Sequence, residues 1–455
     1  MEDLKREEIK YPYLNKNVVL YTRKCGHKIV IAYKPGGLTN ISSWVKTGSI
    51  NENDENNGIS HFLEHVMFKG TEKHKAGDFD RILEAKGAIV NAATWKDYTF
   101  YYVTLPAGKD NKDFYKAIEL HADMMLNPVF PPEELGEPFE YNKTTPETKR
   151  ERSVVIEEIG MREDQPWTKV YNNLNENMYE NHPYKRDVIG KKTIISSIPR
   201  DTIDDYYKKH YAPNKITTIA IISDECNEED VLNKIVSLFD FKSRKESEIA
   251  RYEIDPLINQ TKYIEDYAQV TTGFLMFGFR GPIITEFKDV IALDMLNIIL
   301  GDGQSSRLYQ NLIENINPPV YNMISSEHYH FKDGTNFFIQ ANFKADKKDQ
   351  AIDLIKKELR NLLIDIEDNE FKKAKKKIKV QFANESETVS DIADTIGHYM
   401  TVVGSLKPIE NYLDILEEID KSYLISCAEK YLNIDSAVIS VLLPIKGEEE
   451  NNAKN

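Results

Sequence analysis

Hydrophobic positions in the first half of the chain follow two different periods. Runs rich in β-branched and aromatic residues predict strands, and these runs are 17–21, 28–33, 98–105 and 216–223. Apolar residues at helical spacing predict helices at 76–85 and 114–126. The order is strand, strand, helix, helix, strand, strand and then further helices. Strands and helices therefore belong to one layered domain.

The second half repeats this order. It predicts strands at 272–279, 335–343 and 437–443, and helices at 289–300, 350–363 and 370–384. This repetition indicates the duplication of a unit of roughly 200 residues, an ordinary domain size. We predict an α+β fold of two duplicated α/β-sandwich domains, each a mixed, largely antiparallel sheet with helices packed on one side. The predicted limits are 11–225 for the first domain, 226–265 for a linker and the start of the second half, and 266–445 for the second domain.

One predicted helix, 58–68, carries two histidines and a glutamate within five residues. At about 100° per residue, His65 lies roughly 40° around the helix from His61, and Glu64 roughly 60° to the other side. All three share one face. Two histidines at this spacing can bind one metal ion, and the glutamate can accept a proton from a water that the metal activates. The ordinary alternative is a solvated helix face or a pair of hydrogen-bonded core histidines.

A catalytic zinc ion needs a third protein ligand and one open position. The segment 151–159 is again helical in pattern, and its Glu151 and Glu158 are seven residues apart, hence on one face. An ordinary charged helix face is the alternative, because glutamate is abundant in this chain. The pair becomes informative only together with the histidine helix.

Together these segments resemble the pitrilysin and mitochondrial-processing-peptidase family of zinc peptidases, in its short two-domain branch. The resemblance extends from about residue 18 to residue 443, and its motifs follow the family order. They are 43–49, 58–71, 87–94, 151–167, 182–184, 189–190 and 301–308.

The resemblance implies a Zn²⁺ site and two catalytic glutamates: zinc ligands His61, His65 and Glu158, general base Glu64, and auxiliary catalytic residue Glu151. Glu157 is the main rival of Glu158 as the third ligand. The seven-residue spacing from Glu151 favours Glu158. The implied activity is that of a zinc-dependent endopeptidase that cleaves peptides or unfolded polypeptide segments.

The resemblance also implies where a substrate binds. An edge strand would accept the substrate backbone as an added β-strand, and the implied substrate-binding residues are Asn91, Ala92, Ala93, Thr94 and, in the second domain, Tyr321. A simple sheet edge is the alternative. Family members of this short branch imply a dimer, either a homodimer or a heterodimer with a similar chain.

Two features depart from the family pattern. Ile313 occupies the position where active members carry a substrate-binding arginine. This leaves a second hypothesis open: a zinc-bearing or structural subunit of a heteromeric peptidase that needs a partner chain for full activity. The polar segment 137–148 has no family counterpart, and its prolines predict an inserted surface loop.

The second half carries a different set of candidate metal ligands. The place that matches the histidine helix, 289–296, has no histidine. His328 and His330 alternate on a predicted strand and could bind a metal weakly, although exposed strand histidines are the more common explanation.

Composition excludes several classes of function. A net charge of −15 over 455 residues argues against nucleic-acid binding, which needs a basic surface, and is compatible with basic peptide substrates. The lysine run 372–377 follows the acidic segment 365–370 and is interpreted as a solvated helix face.

No run approaches the ~18 apolar residues of a membrane span. Three scattered cysteines and an acidic N-terminal segment predict a cytoplasmic, prokaryotic protein.

Overall fold

The computed structural model describes residues 4–143, 150–241 and 244–445. The strands are β1 Lys5–Ile9, β2 Val18–Thr22, β3 Lys28–Tyr33, β4 Leu38–Val45, β5 Ile89–Thr94, β6 Thr99–Pro106, β7 Ile216–Ile222, β8 Lys262–Ala268, β9 Gly273–Arg280, β10 Tyr321–Phe331, β11 Gly334–Phe343 and β12 Val438–Pro444. The helices are α1 Ile59–Met67, α2 Asp78–Glu84, α3 Lys112–Leu126, α4 Pro132–Leu135, α5 Glu151–Glu163, α6 Pro166–Met178, α7 Lys192–Ser197, α8 Arg200–His210, α9 Glu228–Leu238, α10 Phe287–Leu300, α11 Arg307–Tyr309, α12 Lys348–Ile364, α13 Asp368–Asn384, α14 Val389–His398, α15 Lys407–Glu410, α16 Tyr412–Glu418 and α17 Lys421–Tyr431.

The strands form two mixed sheets with a shared topology. The first sheet has the order β1-β2-β3-β7-β4-β6-β5, and the second has the order β10-β11-β9-β12-β8. The strands β3-β7-β4-β6-β5 of the first sheet and β8-β12-β9-β11-β10 of the second pair in the same way. In each set the first pair is parallel and the following pairs are antiparallel. This repeated order confirms the predicted α+β fold of two duplicated, largely antiparallel sheets with helices.

Each sheet belongs to a compact unit that is discontinuous in sequence. The first unit comprises Met1–Gly160, Arg186–Arg251 and Phe382–Tyr412, and the second comprises Met161–Lys185, Tyr252–Gln381 and Leu413–Asn455. A helix from the opposite half of the sequence therefore completes each unit. The continuous limits 11–225, 226–265 and 266–445 stay a prediction.

Alternation along β4 separates the two faces of the first sheet. Ile41 and Val45 join the apolar core on the face that carries α1 and α3. Trp44 points to the other face, where a Cβ on Gly397 of α14 would lie only 1.9 Å from its ring. The glycine thus permits α14 to lie directly on the sheet. In the second unit, α6 similarly covers β9 and β12.

A buried histidine beneath the first sheet should make the stability of this unit sensitive to pH. His121 of α3 is fully buried, with Nε2 2.9 Å from Ser43 Oγ, and burial lowers its pKa to about 3. The unfolded pKa is about 6.5, so the unfolded chain binds the proton first. The neutral form's stabilising contribution is complete above pH 6.5. It is lost at about 1.4 kcal/mol per pH unit as the pH falls toward 3.

Urea unfolding of chelator-treated protein at pH 7 and pH 5 checks this expectation, with His121→Gln as the matched variant. Glutamine keeps a polar group opposite Ser43 but does not titrate. We expect the variant to lose less free energy of unfolding than the unchanged chain between the two pH values. Equal losses would assign the acid sensitivity to other groups.

The inserted segment is only partly described. The backbone N–H of Phe139 donates to the Ser196 carbonyl at 2.8 Å, so its first part contacts the segment around α7. Residues 144–148 of the predicted loop 137–148 lie outside the described residues. Among the helices of the described ranges, none combines the length and the apolar character that crossing a membrane requires.

Candidate metal and peptidase site

Helix α1 has one buried apolar face and one polar face. Phe62, Leu63, Val66 and Met67 are fully buried in the core of the first unit. The intervening positions place His61, Glu64 and His65 on the opposite side, as 3.6 residues per turn require. Core packing therefore fixes the rotation of the helix and hence the direction of all three polar side chains.

The start of α1 is fixed by a buried carboxylate and by a close backbone contact. Glu52 accepts the N–H groups of Gly58 at 2.7 Å and Ser60 at 2.9 Å. A carboxylate here satisfies helix N–H groups and is favoured by the helix dipole. Gly58 has φ +97°, and a Cβ on it would lie 2.8 Å from the Cα of Gly190. Glycine is thus required on both sides of this contact.

Helix α5 is held against α1 by a buried arginine. The guanidinium of Arg152 donates to the carbonyls of Gly136 at 3.1 Å, Ile198 at 2.9 Å and also Ile195. Its Cζ lies 5.1 Å from the ring centre of Phe62. Arg152 therefore ties the start of α5 to the buried side of α1 and to the segment around α7, which holds the glutamates of α5 in place.

Three potential metal ligands converge between α1 and α5. Glu158 Oε2 lies 3.6 Å from His61 Nε2 and 3.5 Å from His65 Nε2, and the three donor atoms form a group that could hold one ion. Two imidazoles and one carboxylate are a donor set that Zn²⁺ accepts. In a tetrahedral zinc site, donors lie about 3.4 Å apart for bonds of about 2.0–2.1 Å. The residues therefore fit the metal in chemistry and in spacing.

Glu151 lies behind His65 and not among the converging donors. Its Oε2 is 3.2 Å from His65 Nδ1, and its Oε1 is 2.9 Å from Lys69 Nζ. Burial opposes ionisation of Glu151, but the bonds from His65 and Lys69 hold its pKa below the ordinary value. A carboxylate on the far nitrogen of a ligand histidine fixes the ring and its tautomer. These contacts favour a positioning role over the catalytic role predicted for Glu151.

The imidazole of His65 binds a proton strongly in the absence of a metal. Burial opposes its protonation, but hydrogen bonds to Glu151 and Glu158 raise the pKa to about 9. A metal ligand must be neutral, so a metal ion competes with this proton.

Glu64 lies beside the donor group and contacts the edge strand. The hydroxyl of Thr94 donates to Glu64 Oε2 at 2.7 Å. Burial raises the pKa of Glu64, although the bonds from Thr94 and the charge of His65 act against it. A carboxylate with a raised pKa is a better proton acceptor at neutral pH. Thr94, predicted as a substrate-binding residue, thus orients the predicted base.

Strand β5 is the last strand of its sheet in the described part of the chain and pairs with β6 alone. It packs against α1, and Ala92, Ala93 and Thr94 are half-buried whereas Asn91 is exposed. The Asn91 Oδ1 accepts the N–H of Ala92 at 2.9 Å. Within the described ranges, the strand has one edge without a neighbouring strand, and its last residue, Thr94, contacts Glu64.

Glu157, Tyr321 and Ile313, which the sequence analysis also singled out, lie outside the converging donor group. Glu157 is exposed on α5 and is not part of the converging donor group. Tyr321, in the second unit, is buried and donates its hydroxyl to the Ala351 carbonyl. Its predicted substrate-binding role therefore stays a prediction. Ile313 is half-buried in a π-helical turn, Gln310–Glu314.

Sequence reasoning missed three residues that position the site: Glu52, Arg152 and Lys69. Glu52 precedes α1 by seven residues, too far for a local capping pattern. Arg152 lies in the predicted helix 151–159, where a charged residue is typical of a solvated face. Lys69 directly follows the predicted helix 58–68, and its spacing of four residues from His65 is a signal, because one further helical residue would place both on one face.

Comparison with known protein families gives two matches. Residues 28–192 match the family described as Insulinase (Peptidase family M16). Residues 197–378 match the Peptidase M16 inactive domain. The first match contains the whole donor group, and the second contains Ile313 and Tyr321.

Individual relatives extend over most of the chain. The uncharacterized zinc protease YmxG of Bacillus subtilis is 28% identical over 420 residues, which cover 92% of this chain and 96% of that protein. A probable mitochondrial-processing peptidase subunit beta of Arabidopsis thaliana is 24% identical over 416 residues, 89% of this chain and 74% of that protein. The crystal structure of a protease from Helicobacter pylori is similar in fold, with a TM-score of 0.82, 24% identity and coverage of 97% and 100%.

Proposed function

Because this chain belongs to the insulinase family of peptidases, family M16, we propose that it is a zinc-dependent endopeptidase acting on peptides or unfolded polypeptide segments. One observation carries the proposal: His61, His65 and Glu158 converge at donor spacing, with the half-buried carboxyl group of Glu64 beside them. Zinc proteases among the relatives support the choice of metal.

In this proposal, His61 and His65 bind zinc through Nε2, and Glu158 binds it through a carboxylate oxygen. When bound, zinc supplies a Lewis acid that makes water more acidic and polarises a carbonyl group. Glu64 accepts a proton from the attacking water and returns it to the leaving amine. The hydroxyl of Thr94 holds the Glu64 carboxyl in place through Oε2, and Glu151 keeps His65 in the tautomer that leaves Nε2 available.

The substrate would bind as an added strand on β5. Backbone hydrogen bonds along a sheet edge give alignment without demanding a particular sequence, and the small side chains of Ala92 and Ala93 allow another backbone to approach. The strand ends at Thr94, whose side chain contacts Glu64, so a substrate aligned on β5 reaches the proposed base. The net charge of −15 favours basic or neutral peptides.

The isoleucine at position 313 favours a second candidate function. An isoleucine cannot donate a hydrogen bond to a substrate carbonyl, so the usual contribution of an arginine at this position is missing. We propose that the chain acts as a dimer, either with itself or with a similar chain that supplies this donor. The heterodimer would make this chain the zinc-bearing subunit of a heteromeric peptidase.

Removal and return of zinc test the proposed function. Protein stripped with a chelator should lose cleavage of a mixed peptide library, and stoichiometric Zn²⁺ should restore it. Light scattering on the same samples gives the oligomeric state. Cleavage that is indifferent to both treatments would contradict a zinc peptidase. A chain that binds zinc and does not cleave alone would support the partner-dependent subunit.

A further inference from the structure

Three polar side chains meet where α10 packs against β10 in the second unit. His328 and His330 are two residues apart on a strand, so they share a face, and their ring centres are 4.7 Å apart. Asp294 of α10 faces them: its Oδ1 lies 2.7 Å from His328 Nδ1 and 3.0 Å from His330 Nε2. The two nitrogens are 3.2 Å apart. Three donor atoms therefore surround one point.

The surroundings of this group are apolar on one side and open on the other. Asp294 lies between the buried residues Leu293 and Met295, in a helix that is otherwise mostly apolar. The side chain of His328 is 1% exposed, whereas those of Asp294 and His330 are 23% and 28% exposed. A carboxylate in such a place needs compensating partners, and a dissolved cation can reach it from the exposed side.

From this geometry we propose that Asp294, His328 and His330 form a second metal site, for a divalent cation of the zinc and cobalt class. Two imidazole nitrogens and one carboxylate oxygen suit these ions, and the three residues belong to a donor group that could hold an ion. The donor separations of 2.7, 3.0 and 3.2 Å are about 0.2–0.7 Å shorter than the roughly 3.4 Å of a tetrahedral zinc site. A small outward movement of the two exposed side chains makes room for the ion, which then ties α10 to β10.

This site includes the helix that takes the topological place of α1 in the second unit. Helix α1 packs against the edge strand β5, and α10 packs against β10, the edge strand at the same place in the second sheet's order. The donors are nevertheless different, because the second copy uses a helix carboxylate and two strand imidazoles. The site thus goes beyond the proposed peptidase function, to which none of its three residues contributes.

Metal stoichiometry in the full chain tests the proposal. Stripped protein is titrated with Co²⁺, followed by visible absorption, and zinc content is measured after equilibrium dialysis. We expect two equivalents for the unchanged chain, one for His330→Ala, one for His61→Ala and none for the double variant. His74→Ala is the matched control and should keep two. His74 pairs with Asp123 at 3.1 Å, but within the described ranges it belongs to no three-donor group.

The outcomes separate the two metal sites. A single equivalent that persists in His330→Ala and vanishes in His61→Ala would overturn the second site and leave the peptidase site intact. The reverse pattern would support the second site and contradict the proposed function. His330→Gln guards against misfolding, because its amide can still donate to Asp294 but is a poor metal ligand. A folded His330→Gln protein that keeps two equivalents would also overturn the proposal.

Discussion

Replacing Glu64 with glutamine should lower peptide turnover by about 10²–10⁴-fold, the usual contribution of a positioned general base. This corresponds to roughly 3–5 kcal/mol of barrier height. Glutamine has nearly the same shape, and its amide oxygen can still accept the Thr94 hydroxyl that now bonds Glu64 at 2.7 Å. The amide cannot take a proton from water at neutral pH. Steady-state kinetics on a fluorogenic peptide measures the loss.

Zinc analysis and thermal unfolding on the same protein distinguish lost chemistry from lost metal. The Glu64→Gln variant should keep the zinc content and the melting temperature of the unchanged chain, since Glu64 is not among the converging donors. Glu157→Gln makes the same chemical change at an exposed position of α5 and should leave turnover unchanged. Near-normal turnover in Glu64→Gln would place the base elsewhere, with Glu151 the next residue to test.

The local features of the site could be predicted from the sequence because they depend on helix geometry alone. The positions of His61, Glu64 and His65 on one face follow from 3.6 residues per turn, whatever else the chain does. The buried face of α1 follows from the same period. The pairing of α1 with α5 joins segments that are far apart in the sequence. Helix geometry alone does not predict it, whereas the resemblance to a known family does.

Long-range contacts explain most of what the sequence did not reveal. The packing of α6 and α14 depends on Gly278 of β9, which lies under α6, and on Gly397 of α14, which lies on Trp44. Neither glycine can be recognised as a contact site from its neighbours in sequence. Strand β1, Lys5–Ile9, is polar and has no apolar alternation, yet it pairs along its whole length with β2. Edge strands with one exposed face are specified by their partner more than by their own residues.

The donor group of Asp294, His328 and His330 also depends on a long-range contact that the sequence does not reveal. His328 and His330 were visible as an alternating pair, but nothing in the sequence links them to Asp294, 34 and 36 residues away. Asp294 is an acidic residue in a helix that is otherwise mostly apolar. Charged residues at such positions need a partner from elsewhere in the fold. Only the packing of α10 on β10 identifies that partner.

The choice between Glu158 and Glu157 as third ligand predicts the second large effect. Glu158→Ala should raise the zinc dissociation constant by more than about 100-fold, because altering residues that merely support a ligand already costs 10–100-fold. Glu157→Ala, one residue away on the exposed side of the same helix, should change it little. Alanine suits a helix interior, and the Glu158 side chain is 38% exposed, so neither change should unfold α5.

Competition with a chromophoric chelator measures both dissociation constants. The measurement is made in the His330→Ala background, so that metal bound by Asp294, His328 and His330 does not contribute. Loss of the Glu158 carboxylate leaves His61 and His65 as the two remaining donors. Two imidazoles alone hold zinc weakly at neutral pH, because protons compete with the metal for imidazole nitrogens. If Glu157→Ala weakens zinc binding as much as Glu158→Ala does, α5 must rotate when metal binds, and the donor geometry described above is not that of the zinc-bound protein.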